Sequence, residues 1–139
     1  MAKVRLLRSL VLLMGYACVA IGAYHLVLGV ASVPGEGSAG ATVDSRERFY
    51  NAVFLGYGLA WLWAARQTPI PARWVRGLAG IFLLGGAGRL LSLAVHGPPQ
   101  WFQLALTALE LALPPLYFWL AGADEEAAAA PGPAVRVRM

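Results

Sequence analysis

Four long apolar segments alternate with shorter polar connections along this chain. Each segment is long enough for a helix to cross a bilayer, which takes roughly 17–25 residues. The connections contain proline and glycine, which end helices, at Pro34–Gly35, at Pro69 and Pro71, and at Gly97–Pro99. The pattern predicts an all-α fold, a bundle of four transmembrane helices over residues of about 6–31, 46–66, 74–96 and 101–121.

These four helices are predicted to form one membrane domain over residues 1–122. The segment that follows, residues 123–139, reads ADEEAAAAPGPAVRVRM. It is charged at first and then rich in Ala and Pro, and it has few large apolar side chains from which a core could be built. We therefore predict that residues 123–139 form a disordered tail.

The composition agrees with a membrane protein. Of the 139 residues, 59% are hydrophobic and only 13% are charged, whereas soluble domains have about half apolar and a quarter charged residues. The net charge of +4 does not indicate nucleic-acid binding, because the basic residues flank the apolar segments instead of forming one patch.

The basic residues also predict an orientation. Basic residues precede the first segment, surround the second connection and lie in the tail, whereas the third connection has none. These residues are Lys3, Arg5, Arg8, Arg66, Arg73, Arg76, Arg136 and Arg138. Because cytoplasmic connections carry an excess of Lys and Arg, both termini are predicted to be cytoplasmic. The first apolar run, Ser9 to Val33, is longer than the core of a signal peptide, so we expect an uncleaved first helix.

Two opposite charges lie inside apolar segments. Arg89 is in the third segment and Glu110 is in the fourth. A single charge at the centre of a bilayer costs about 2.5–3.5 kcal/mol on insertion scales, so we predict that these two side chains are partners inside the bundle. Two other interpretations stay open: the pair only fixes the helix register, or Arg89 extends to the lipid headgroups.

Other polar residues are predicted to lie at the same depth as this pair. With both termini in the cytoplasm, they all fall in the outer half of the bilayer and can face one cavity. The candidate ligand-binding residues are Arg89, Glu110, His25, Asn51, Tyr50 and Ser92.

Several residues have simpler interpretations. His25 is more often a hydrogen-bonded core residue than a ligand or proton carrier. With only His25 and His96, and no ligand spacing around them, we predict no metal and no cofactor. Asp44 and Glu47 resemble a capping box at the start of the second helix. The glycines between Gly77 and Gly88 are typical of close helix packing.

Several spaced motifs carry a family resemblance. They are ERFYNAVFLGYG at residues 47–58, GGAGRLLS at 85–92, Gly97-Pro98-Pro99, and Glu110 with Leu113-Pro114. Over roughly residues 8–121 the chain resembles the small bacterial membrane proteins grouped as domain-of-unknown-function family 4345. The resemblance implies a multi-pass protein of the bacterial inner membrane and implies no activity. The layout is also similar to that of DoxX-like proteins, a likeness of architecture alone.

Three functions compete. The first is binding or carrying a small amphipathic or anionic ligand in an outward-facing polar pocket. The second is a structural or assembly subunit, which packs on a second copy or on another membrane protein. The third is a membrane enzyme acting on a lipid-like substrate, with Glu110 and His25 as the acid/base pair. A second carboxylate in the cavity would favour the enzyme, and Glu47, which resembles a helix cap, is the only candidate. The partners expected from the sequence are membrane lipids and this small ligand, and not nucleic acid.

Overall fold

The computed structural model describes residues 1–35 and 39–132. In these ranges the chain forms five α-helices, a 3-10 turn at Gly29–Ser32 and no strand. The helices are α1 (Ala2–Leu28), α2 (Ala41–Arg66), α3 (Ala72–His96), α4 (Trp101–Leu120) and α5 (Ala123–Ala129). The predicted all-α class is confirmed. Three helical segments are long and apolar enough to cross a membrane: Ala2–Ser32, Ala72–His96 and Trp101–Ala129.

The four long helices form two pairs, α1 with α2 and α3 with α4. Glycine brings the backbones of α1 and α2 together. A Cβ atom on Gly58 would lie 2.7 Å from the Val19 nitrogen, and one on Gly22 would lie 2.8 Å from the Leu55 nitrogen. These distances are shorter than van der Waals contact, so only glycine permits this approach.

The glycine-rich run of α3 behaves differently from the prediction. Only Gly86 is in close contact, since a Cβ there would lie 3.1 Å from the Glu110 Cβ atom. Among the described residues, nothing lies within 4 Å of a Cβ atom placed on Gly77, Gly80, Gly85 or Gly88. Close packing at glycine therefore occurs mainly between α1 and α2, and not along α3 as predicted.

Buried side chains concentrate at one end of the bundle, which we refer to as the α5 end. The largest fully buried residues there are Leu7, Val11, Trp61, Ile70, Val75, Tyr117 and Leu120. The Tyr57 hydroxyl donates to the Leu78 carbonyl, and the Tyr117 hydroxyl donates to the Leu10 carbonyl at 2.8 Å. Both bonds join the α1–α2 pair to the α3–α4 pair.

The opposite end contains the turn Gly29–Ser32 and the connection 97–100, and we refer to it as the cavity end. Among the described residues, no hydrogen bond joins the two pairs there. The pairs are thus held together at the α5 end and enclose a space between them at the cavity end.

The first part of the segment predicted to be disordered is helix α5. Asp124 Oδ2 accepts hydrogen bonds from the Ile70 backbone N–H at 2.8 Å and from Arg8 at 3.1 Å. Glu125 Oε1 accepts the Ala72 N–H at 2.9 Å. Pro71 precedes α3 and offers no side-chain cap, so Glu125 satisfies the first N–H of this helix, and Asp124 satisfies the Ile70 N–H just before it. The sequence did not indicate that Asp124 and Glu125 accept these hydrogen bonds. The rest of the predicted tail, residues 133–139, lies outside the described residues.

Helix α2 begins at Ala41, earlier than predicted, and Asp44 lies within its first turn. Asp44 accepts hydrogen bonds from the Val30 N–H at 2.9 Å and from Arg48 Nε at 2.8 Å. Arg48 Nη1 also donates to the Leu26 and Val27 carbonyls at the end of α1. The predicted capping box is wrong, because Asp44 and Arg48 form a clasp between the two helices instead.

The clasp predicts a dependence of stability on pH. The hydrogen bonds from Arg48 and then from Val30 lower the pKa of Asp44 below its ordinary value of 3.8. A lowered folded-state pKa adds stability above the ordinary pKa, and this stability is lost as the pH falls through the folded-state pKa. We expect wild type to melt at a higher temperature than Asp44→Asn at pH 7, and the difference to shrink as the pH falls below the ordinary pKa of 3.8.

The measurement is the melting temperature in detergent across this pH range. Ser45→Ala, at an exposed neighbouring position, is the control and should differ from wild type by the same small amount at every pH. A difference between wild type and Asp44→Asn that is unchanged at pH 2.5 would contradict the role of the Asp44 charge.

Candidate ligand-binding site

A cavity of about 470 Å³ lies between the two helix pairs at the cavity end. Its walls are mostly apolar, with Ile21 from α1, Phe54 from α2, Phe82 from α3, and Phe102, Leu106 and Leu109 from α4. Small-molecule sites commonly have about 300–1,000 Å³ and apolar walls with a few placed polar groups. The cavity has the size and the walls of such a site.

Arg89 and Glu110 meet on the wall of this cavity. Arg89 Nε donates to Glu110 Oε2 at 2.7 Å, and Arg89 Nη1 donates to the Gln103 side-chain oxygen. Gly86 lies one turn before Arg89 and lets α3 approach α4 closely at Glu110. The structure therefore places the two charged groups together, as the sequence analysis expected.

The pair presents its cation to the cavity more than its anion. The Arg89 side chain is 36% exposed, and that of Glu110 is 13% exposed. Nε and Nη1 are the nitrogens in use, and Nη2 has no hydrogen-bond partner among the described residues. A guanidinium with free donors in an apolar cavity can bind an anionic or strongly polar group.

His25 lines the cavity from α1 with one ring nitrogen engaged. Its Nδ1 contacts the Ser32 hydroxyl oxygen at 2.5 Å, and that hydroxyl donates to the Gly29 carbonyl at 2.6 Å. The hydroxyl hydrogen is thus used, so Nδ1 carries the hydrogen of the His25–Ser32 bond. This assignment follows from the hydrogen-bond network, and Nε2 has no hydrogen-bond partner among the described residues.

Asn51 and Tyr50 line the same cavity from α2, whereas Ser92 does not. The Asn51 side-chain nitrogen donates to the Glu47 backbone carbonyl at 2.8 Å, which leaves its oxygen available to a guest. Ser92 lies instead on a neighbouring cavity of about 320 Å³, nearer the connection 97–100. Arg89 and Gln103 line both cavities.

Sequence reasoning named Glu47 as the only candidate for a second cavity carboxylate but preferred to explain it as a helix cap. Predicted as a helix cap, it lines both cavities, so a second carboxylate is present on the wall. It lies four residues before Asn51, and helical spacing put both on one face of α2. That spacing was visible in the sequence, but the apparent capping motif gave Glu47 another explanation.

Metal binding has no support from the described side chains. In residues 1–35 and 39–132, no three His, Cys, Asp or Glu side chains come together as a metal site would require. The polar side chains of the cavity instead include the Arg89–Glu110 ion pair, the Gln103 amide bound to Arg89, and the carboxylate of Glu47, which is unpaired among the described residues.

A family model described as "Domain of unknown function (DUF4345)" matches residues 6–121. The chain belongs to this family. The DUF4345 match covers α2, α3 and α4 completely and α1 from Leu6 onward, and it confirms the resemblance carried by residues 47–58 and 85–92. No curated protein and no solved structure matches the chain. The DUF4345 description states no activity, so a function has to be argued from the site itself.

Proposed function

We propose that this protein spans the bacterial inner membrane with four helices and binds or carries a small amphipathic molecule in the cavity between its helix pairs. In this proposal α2 is the fourth span, and the α5 end faces the cytoplasm. The basic residues of the α5 end support that orientation: Lys3, Arg5, Arg66, Arg73 and Arg76. The charged residues at the start of α2 precede an apolar run from Phe49 to Ala65, which supports the fourth span.

One observation carries the ligand proposal. A cavity of about 470 Å³ with apolar walls contains a guanidinium that Glu110 and Gln103 hold in place. The apolar walls suit the hydrocarbon part of a guest, and the free donors of Arg89 suit its polar part. Because the side chains that hold Arg89 are already in contact with it, little conformational freedom remains to be lost on binding.

The test is ligand-dependent melting of the purified protein in a non-ionic detergent. The panel contains single-chain phospholipids, fatty acids and neutral monoacylglycerols. A ligand at 100 times its Kd stabilises the folded state by about 2.7 kcal/mol, so we expect at least one compound to raise the melting temperature by several degrees. Arg89→Gln should abolish this rise.

Arg73→Gln is the matched control, because Arg73 is an exposed arginine on the same helix at the α5 end. The control should retain the full rise in melting temperature. If no compound shifts wild type, or if Arg89→Gln responds as wild type does, the proposed binding function is refuted.

A membrane enzyme acting on a lipid-like substrate is the second candidate. The position of Glu47 favours it, since two carboxylates and the free Nε2 of His25 can act as acid and base around one cavity. Recovery and chromatographic analysis of the bound compounds after incubation separates the two functions. An enzyme returns a changed compound, and a binding protein returns the compound unchanged.

A structural or assembly subunit remains the other alternative. The open space around the α3 glycines at Gly77, Gly80, Gly85 and Gly88 supports it, because small residues on a helix face allow another helix to approach closely.

A further inference from the structure

The charges on the cavity wall do not balance. Arg89 supplies one positive charge, whereas Glu110 and Glu47 supply two negative charges. Because Arg89 is paired with Glu110, it does not neutralise the carboxylate of Glu47.

Glu47 has no cationic partner in the described parts of the chain. The ion pairs there are Arg8–Asp124, Arg48–Asp44 and Arg89–Glu110. No Arg89 nitrogen lies within 4.0 Å of a Glu47 oxygen. Arg48 follows Glu47 directly in sequence, but its donors are used by Asp44 and by the carbonyls at the end of α1.

A half-buried carboxylate beside apolar walls is costly when it is unpaired. A cationic group on the guest would remove this cost. The aromatic rings of Tyr50 and Phe54 lie three and seven residues after Glu47 and also line the cavity. Ring faces attract cations, so this side of α2 is suited to a positively charged nitrogen.

The other side of the cavity is suited to a negative group. Arg89 Nη2 has no partner among the described residues, and the guanidinium is anchored through its other nitrogens. Glu47 and Arg89 both line the main cavity and the neighbouring one. A guest that reaches both residues meets an anion-binding group and a cation-binding group at separate places.

We propose that the guest is zwitterionic, with a cationic nitrogen beside Glu47, an anionic group at the free N–H donors of Arg89, and an apolar chain against the cavity walls. This inference rests on the proposed binding function and narrows its ligand class. Phospholipids with an amine headgroup and water-soluble zwitterions share this charge pattern.

The test compares two single-chain lipids that share the acyl chain and the phosphodiester, of which only one has a cationic nitrogen in its headgroup. Lysophosphatidylethanolamine carries a phosphodiester and an ammonium, and lysophosphatidylglycerol of the same chain length carries the phosphodiester alone. Apparent affinities come from the concentration dependence of the melting temperature at pH 7 in non-ionic detergent. We expect wild type to bind the zwitterion about tenfold more tightly, a difference of about 1.4 kcal/mol.

Glu47→Gln should reduce this ratio to within about twofold of one, because the amide removes the charge but keeps the shape. Glu126→Gln is the matched control, since it removes one exposed acidic charge at the α5 end, and it should keep the wild-type ratio. If Glu47→Gln does not fold, the wild-type ratio alone still decides the question.

The outcomes separate this inference from the function on which it rests. Equal affinity of wild type for the two lipids, or preference for the anion, overturns the zwitterion and leaves the binding function standing. Absence of binding by every amphiphile refutes both. Glycerophosphoethanolamine, the headgroup without its chain, distinguishes the two sources: weaker binding supports a membrane lipid, and equally tight binding supports a soluble zwitterion and overturns the placement of an apolar chain against the walls.

Discussion

Replacement of Gly58 by leucine is expected to destabilise the bundle by about 3 kcal/mol or more, near the upper end of the cost of overpacking. A Cβ atom at this position would lie 2.7 Å from the Val19 nitrogen and 2.9 Å from the Gly15 carbonyl oxygen. Both neighbours are backbone atoms, which cannot move aside as a flexible side chain can. The change therefore forces α1 and α2 apart along their whole contact.

The measurement is the melting temperature or the midpoint of denaturation in mixed micelles. Gly56→Leu is the matched control, since Gly56 is on the same helix and nothing lies within 4 Å of a Cβ atom there. We expect the control to be as stable as wild type or slightly more stable, because leucine favours helix more than glycine does. If the two variants are equally stable, the close contact between α1 and α2 is refuted.

Replacement of Glu110 by methionine should cost about 2 kcal/mol of stability, less than the roughly 3–5 kcal/mol for breaking a fully buried pair. The single change leaves the Arg89 guanidinium beside apolar walls with only Gln103 as a partner. The cost is reduced because the Arg89 side chain is 36% exposed. Arg89→Met should cost a similar amount, because it leaves the Glu110 carboxylate without its cationic partner.

The double variant distinguishes a structural pair from a ligand site. Without either charge it should be destabilised by about 1–2 kcal/mol less than the sum of the single variants, as expected for residues in contact. Glu110→Met combined with the distant Arg73→Gln should be additive. If the double variant recovers stability but binds no ligand, Arg89 serves binding; if it also binds as wild type does, the pair is structural.

The sequence was a good guide to features that depend on periodicity. The apolar segments gave the four long helices, and helical spacing placed Arg89 and Glu110 on faces that meet. It also brought His25, Asn51 and Tyr50 to the same cavity. These features follow from which residues share a helix face, and that information is local.

Features that depend on a partner from elsewhere in the chain were not predictable. Asp44 has the residue type and spacing of a helix cap, but its partners are the Val30 N–H across the α1–α2 turn and Arg48 one turn later on α2. The glycine density of α3 exceeds that of α2, although Gly58 of α2 is packed more tightly against backbone than Gly86 of α3. Glycine composition shows where close approach is allowed, and only the fold shows where it occurs.

Helix α5 also sets an order of assembly. The acceptors for the Ile70 and Ala72 N–H groups lie 54 and 53 residues later in the sequence. A ribosome therefore releases the turn between α2 and α3 well before Asp124 and Glu125 exist to receive its hydrogen bonds. During synthesis these two N–H groups are therefore expected to bind water until the fourth long helix has been made. Docking of α5 then replaces that water with the carboxylates of Asp124 and Glu125.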